Sequence, residues 1–135
     1  MQIGLRFRFL LLSLVVCFGN KSAAAQHMNA VPNPCQSVGP NSLQTECFLA
    51  ASQKADKDLN AYYGKLRAHL EADDLKKLQV AQRLWVQFRD ANCTAEYSLY
   101  GGGSAGPTVR AACIEALTRQ RTTELRTMYD WVLEK

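Results

Sequence analysis

Three long stretches of the chain repeat apolar residues at steps of three and four, and this helical period constrains the fold most strongly. In the first stretch the repeated residues are Phe48, Ala55, Leu59, Tyr62, Leu66 and Leu70. In the second they are Leu75, Leu78, Ala81, Trp85 and Phe88, and in the third Ile114, Leu117, Leu125, Met128 and Val132. No segment alternates apolar and polar residues with period two, so we expect an all-α fold.

Two interruptions divide these stretches into three helices. A capping box at Asn41 and Gln44 predicts the start of a first helix over residues 42–70. After the short link Glu71-Ala72, an aspartate at 73 or 74 caps a second helix that ends near Tyr97. The loop "YGGGSAGPT" precedes a third helix over residues 108–133. Because the first link is so short, we expect an antiparallel hairpin and an up-down-up bundle.

The chain begins with a segment that is typical of an export signal. Residues 1–25 combine Arg6 and Arg8, a short apolar run and the small residues Ala23 to Ala25, which predicts cleavage after Ala25. Acylation at Cys17 is less favoured, because two bulky valines precede it. We therefore expect a periplasmic or secreted protein with no membrane span in its mature chain. Residues 26–40 contain three prolines and predict an irregular arm, and residues 41–135 form the helical domain.

Charge and histidine content exclude two classes of function. The formal net charge is +4, but residues 1–25 hold three of the 16 basic residues and none of the 12 acidic ones. The remainder is therefore close to neutral, at +1, and lacks the basic excess that nucleic-acid binding requires. Its two histidines, His27 and His69, are too far apart in sequence to suggest a zinc site. We expect no metal and no other cofactor.

Four cysteines remain after the signal segment, and an even count in an exported chain indicates two disulfides. Cys47, Cys93 and Cys113 are expected at one end of the bundle, and the arm can bring Cys35 to the same end. The preferred pairing is Cys93–Cys113 with Cys35–Cys47. Cys47–Cys93 with Cys35–Cys113 is also geometrically open, and the sequence does not decide among the three connectivities.

Several polar residues lie on or beside the apolar stripes. Asp56 and Asn60 flank the first, Arg89 flanks the second, and Arg121 lies within the third. Because a buried guanidinium requires a carboxylate partner, we expect Asp56 to pair with Arg121 or Arg89, near Asn60 and Thr118. This network is interpreted as structural.

Trp85 and Phe88 are expected to fill the core. No nucleophile, base or metal set can be assembled from the sequence, so an enzyme is not expected.

The glycine-rich loop is the best candidate for a partner-binding surface. Glycines bring backbone close to a partner because they lack a side chain and tolerate positive φ. A disulfide at its base would limit the entropy lost on binding. The residues expected to contact a partner are Tyr100, Gly102, Gly103, Ser104 and Arg110.

A set of residues spread along the chain resembles a known family in its order and spacing. The residues that carry this resemblance are Ala55-Asp56, Leu59-Asn60, Tyr63, residues 81–93, residues 102–104, Cys113, Leu117-Thr118, Arg121 and Leu125. This set resembles the LprI-like lysozyme-inhibitor family. The resemblance implies a small helical envelope protein that binds lysozyme and blocks it. The alternative is an envelope interaction module that binds a protein without inhibiting it.

Overall fold

Three long α-helices make up most of the molecule. The computed structural model describes residues 27–30 and 32–134, and within them it contains no strand. A short 3₁₀ helix, His27–Asn29, precedes α1 (Asn41–His69), α2 (Ala72–Ser98) and α3 (Gly106–Leu133). The all-α three-helix fold predicted from the sequence is confirmed.

The predicted signal peptide, residues 1–25, lies outside the described residues. Within the described part of the chain, no helix combines the length and the apolar character needed to span a bilayer.

The helix starts differ from those predicted, and the capping box is wrong. Pro40 occupies the N-cap position of α1, and no side chain caps the helix there. Gln44 donates instead to the carbonyl of Val38, at 3.2 Å. No side chain caps α2 either, but Asp73 and Asp74 lie in its first turn, where their charge favours the positive end of the helix. Pro107 lies in the first turn of α3. It costs no hydrogen bond there, because the first backbone N–H groups of a helix have no partner within the helix.

Contacts between the helices establish the up-down-up order. The hydroxyls of Thr45 and Thr108 share a hydrogen bond near the starts of α1 and α3. Nearer the ends of the same helices, the Tyr62 hydroxyl donates to Asp130. These two helices therefore run parallel. α2 runs the opposite way. Its early residue Gln82 contacts Arg121, late in α3, and its late residue Cys93 is bonded to Cys113, early in α3.

Both predicted disulfides are present. Cys35–Cys47 attaches the arm to α1, and Cys93–Cys113 joins α2 to α3 with Cα atoms 5.5 Å apart. The preferred connectivity is therefore confirmed, and the alternative pairing is wrong. Both bonds lie at the end of the bundle where α1 and α3 begin.

The core has two apolar clusters along the contact between α1 and α3. The larger cluster is centred on Leu59, Tyr62, Leu66, Leu78 and Leu125. The smaller lies beneath the arm and contains Cys35, Phe48, Ala111 and Ala112. Burial of each leucine side chain contributes about 1.5–3 kcal/mol. Small residues on α3 allow it to approach α1 closely.

Burial along the predicted stripes is uneven. The first stripe is buried except for its last residue, Leu70, which is half-buried. Phe88 is 57% exposed and Met128 46% exposed, so the prediction that they lie in the core is wrong. Trp85 is half-buried and packs against the larger cluster. The core forms mainly between α1 and α3, so the outer face of α2 receives no cover from the described residues.

Candidate functional site

The loop between α2 and α3 projects from the end of the bundle that carries the disulfides. Gly101 and Gly102 have φ values of 53° and 79°, a backbone conformation that residues with a side chain rarely adopt. Gly103 N–H donates to the Tyr100 carbonyl at 2.8 Å, which closes the turn. Residues 101–104 are exposed, and the Cys93–Cys113 disulfide ties the two helices that hold them.

A tightly packed glycine returns the loop to α3. A Cβ added at Gly106 would lie 2.7 Å from the Tyr97 ring, so this position leaves no room for a side chain. The ring of Tyr97 therefore packs directly against the backbone of Gly106, and this contact holds the end of the loop in place. The exposed turn is held at both ends, by a disulfide between its flanking helices and by this close contact.

Residues beside the turn differ in their availability to a partner. Ser104 and Arg110 are exposed, as partner contacts would have to be. Tyr100 is half-buried, and its hydroxyl is buried with no hydrogen-bond partner among the described residues. Leu99 was not among the predicted site residues, yet it is 82% exposed. Its position before three glycines is a usable signal, because no further helical turn follows to cover it.

The predicted polar network is divided between two arginines. Arg89 donates to Asp56 at 3.1 Å and to Thr118 at 3.2 Å, and it also pairs with Asp90. Arg121 instead contacts Gln82 at 3.1 Å and Glu124 at 3.3 Å. The four residues of the prediction do not form one cluster, since Asn60 is exposed and Arg121 does not pair with Asp56.

The indole of Trp85 connects the two halves of this network. The guanidinium carbons of Arg89 and Arg121 lie 5.2 and 5.8 Å from its ring centroid. Each cation has acceptors and an aromatic face, which offsets the cost of removing it from water. The arrangement links α2 to both other helices, and it leaves neither arginine free to act on a substrate.

One group of metal-ligating residue types comes together among the described residues. Ligand atoms of His27, Glu96 and Cys113 lie within 4.8 Å of one another. The Cys113 sulfur is bonded to Cys93, and only a thiolate binds metal well. His27 donates to Glu96 from its backbone N–H at 3.0 Å and also contacts it through Nδ1. This cluster attaches the arm to α2.

A groove of about 620 Å³ lies between the arm, α1 and α3. Its lining includes Pro32, Ala51, Tyr62, Lys65, Arg119 and Arg126. Burial raises the pKa of Tyr62 to about 12, and the hydrogen bond to Asp130 adds to the rise. None of the predicted site residues lies here. Alanines at 51 and 55, one helical turn apart, were the available signal, since they leave a channel along α1.

A second uncovered surface follows α2. Val80, Leu84 and Phe88 recur at steps of four and are all about half exposed or more, so they form an apolar strip on one helix face. Exposed apolar strips of this kind are typical of protein-contact surfaces.

These features define a class: a small helical domain with two disulfides, which are typical of exported proteins. The family model for Lysozyme inhibitor LprI matches residues 35–125. The chain therefore belongs to the LprI lysozyme-inhibitor family, and the family predicted from the sequence is confirmed. An uncharacterised protein of Rhizobium meliloti (strain 1021) is 30% identical over 132 residues, covering 88% of this chain and 92% of the relative. No solved structure matches the chain.

Proposed function

We propose that the protein is exported, that its signal segment is removed after Ala25, and that it binds a lysozyme and inhibits it through the loop between α2 and α3. The exposed, doubly anchored turn at residues 101–104 is the observation that supports this site most directly. Lysozymes act through two carboxylates in a cleft. A narrow turn built from glycines is a suitable shape to enter such a cleft.

The chemistry of the turn suits a site that contains carboxylates. The Ser104 hydroxyl and exposed backbone N–H groups can donate to an acid, and Arg110 can add a charge-assisted hydrogen bond. Leu99 offers an apolar contact beside them. Because the turn is already ordered, little conformational entropy is lost on binding.

Net charge predicts how the complex forms. A chain near +1 without its signal segment provides no strong field to steer a basic lysozyme. Affinity should therefore arise from contacts at the loop. We expect the association rate to change little with ionic strength.

An inhibition assay with a panel of lysozymes tests the proposal. Purified chain without residues 1–25 is expected to slow lysis of a cell-wall suspension by at least one lysozyme. Ser104→Arg places a bulky cation on the turn without backbone strain and should weaken inhibition at least about tenfold, equivalent to about 1.4 kcal/mol. Gly103→Arg should act in the same direction.

Ala68→Arg is the matched control, because it adds the same side chain to an exposed position at the far end of α1. It should inhibit like the unmodified protein. Equal inhibition by Ser104→Arg and the unmodified protein would exclude the loop as the site. Full lytic activity of every lysozyme at high excess of the protein would exclude the function.

The apolar strip of α2 favours a second candidate, an interaction module that binds a protein without inhibiting it. Leu84 and Phe88 lie on a helix face, which suits a flat partner surface better than a cleft. Here Leu84→Asp with Phe88→Asp should abolish binding, whereas Ser104→Arg should not. Lysozyme binding measured separately from lysis distinguishes the two candidates.

A further inference from the structure

We propose that the groove between the arm, α1 and α3 is a binding site for a small amphiphile that has an apolar chain and one carboxylate head. At about 620 Å³, the groove falls within the range of small-molecule sites. It lies along the sides of the helices, whereas the loop projects from their end. The proposal is therefore independent of lysozyme inhibition.

Most of the charged groups in the groove are already neutralised. Lys54 pairs with Asp58 at 2.6 Å on α1. Arg119 pairs with Glu115 at 2.7 Å, and it also donates to the Pro32 carbonyl of the arm. These bonds hold the wall at the arm end of the groove together, and they leave no net charge there for a ligand to meet.

The other end of the groove carries an excess of positive charge. Among the described residues, neither Lys65 nor Arg126 has a carboxylate partner. The Arg126 guanidinium lies 4.7 Å from the centroid of the Tyr62 ring, and it donates no hydrogen bond to another described residue, so its N–H groups are available. A guanidinium with free edges binds a planar carboxylate through two parallel hydrogen bonds. The nearby Asp130 is not part of the lining, and its single charge does not cancel two cations.

The middle of the groove favours an apolar ligand body. Ala51, Ala55 and Ala61 present methyl groups along α1. The hydroxyls of Thr122 and Thr123 donate to carbonyls one turn earlier in α3, so they can accept a hydrogen bond from a ligand but cannot donate one. A sugar would find fewer partners along these alanines than it has in water, and each hydrogen bond that it fails to replace has a cost. A hydrocarbon chain carries no such cost.

The length of the groove sets the size of the ligand. The residues that line it on α3 extend from Glu115 to Arg126, which corresponds to about 16 Å along a helix. A carboxylate at the Arg126 end therefore leaves room for a chain of roughly ten carbons toward Pro32.

Titration with decanoate, followed by calorimetry and by amide chemical shifts, tests the proposal. Decanoate is used below its micelle-forming concentration, and decanol is the probe with the same chain and no charge. We expect saturable decanoate binding with shifts at residues 51–65 and 115–126, and binding of decanol weaker by about tenfold.

Arg126→Gln should weaken decanoate binding about tenfold while leaving decanol binding unchanged. Arg83→Gln is the matched control, because it removes the same charge from an exposed position on α2 that does not line the groove. It should have no effect. Ala51→Phe should block both probes by filling the channel, and its fold can be checked by circular dichroism.

Three results would overturn the proposal. They are the absence of saturable binding, equal affinity for decanoate and decanol, and shifts centred on Val80, Leu84 and Phe88 instead of the groove.

Discussion

Helices α2 and α3 have nearly the same length, but they contribute very differently to the core. α3 has 28 residues and buries twelve, whereas α2 has 27 and buries only Leu78 and Cys93. Both sequences carry an apolar stripe with helical spacing. The difference shows that periodicity identifies the face of a helix that is apolar, but not whether another element covers it.

The small residues of α3 account for the difference. Alanines at 111, 112 and 116 and threonines at 118 and 122 are buried, and they bring its backbone close to α1. α2 instead attaches through a disulfide, through Trp85 and through the bonds of Arg89. α2 is thus held by a few specific links, whereas α3 is held by continuous packing.

The largest expected effect is a loss of stability, and it comes from making the same leucine-to-alanine substitution in α3 and in α2. Leu125→Ala removes a side chain with no exposed surface and should lower the free energy of unfolding by about 2–5 kcal/mol. Leu84→Ala makes the same chemical change at a position that is 60% exposed, and should cost less than about 0.5 kcal/mol. Urea denaturation measures both. Similar losses would mean that α2 is packed as tightly as α3.

The next largest loss of stability is expected from removing the disulfide that joins α2 to α3. Cys93→Ala with Cys113→Ala opens a loop of 20 residues and should cost about 3 kcal/mol. Because few other links hold α2, its amides should exchange with solvent faster, while those in the core of α1 and α3 remain protected.

Cys35→Ala with Cys47→Ala is the comparison for this experiment. It releases the arm and leaves the link between α2 and α3 intact. Uniform loss of protection across all three helices in the Cys93 and Cys113 variant would contradict the view that α2 is held separately.

The smallest expected effect concerns the hydrogen bond between Tyr62 of α1 and Asp130 of α3. Tyr62→Phe removes the hydroxyl that donates to Asp130 and should cost about 1 kcal/mol at neutral pH. The pKa of Tyr62 is raised from 10 to about 12, so folding favours its neutral form. The stability that comes from this preference for the neutral phenol is fully present below pH 10, and it is lost as the pH rises through about 12.

Unfolding free energies measured across this alkaline range check the prediction. The unmodified protein should lose stability more steeply than Tyr62→Phe between pH 10 and 12. Parallel curves would mean that the Tyr62 phenol does not contribute to the pH dependence.

Helix number and helix order could be predicted because local rules set them, whereas the sequence favoured one disulfide pairing without deciding among the three. The cluster of glycines at 101–103 and the short link after α1 separate the helices, and the topology then brings Cys93 near Cys113. Phe88 was placed wrongly because its burial depends on where α3 lies, which the spacing within α2 does not encode. The capping box failed for a local reason, since Pro40 occupies the position that Asn41 was expected to fill.

The candidate sites were less accessible to sequence reasoning. The loop could be located from its glycines, whereas the exposure of Leu99 beside them was not predicted. The groove arises from residues that are distant in sequence, such as Pro32, Lys65 and Arg126. Only the packing of three elements brings them together, so the alanines at 51 and 55 could not identify the groove by themselves.

The contact between His27 and Glu96 limits how the chain can be trimmed. The Glu96 side chain is only 11% exposed, and both of its bonds come from His27, 69 residues earlier in the chain. A protease that cuts beyond His27 would leave this carboxylate shielded from water and without its donors, at a cost in stability. Cleavage ahead of His27 preserves both bonds. The hydrogen bonds of Glu96, late in α2, therefore require the chain to be intact from His27 onward.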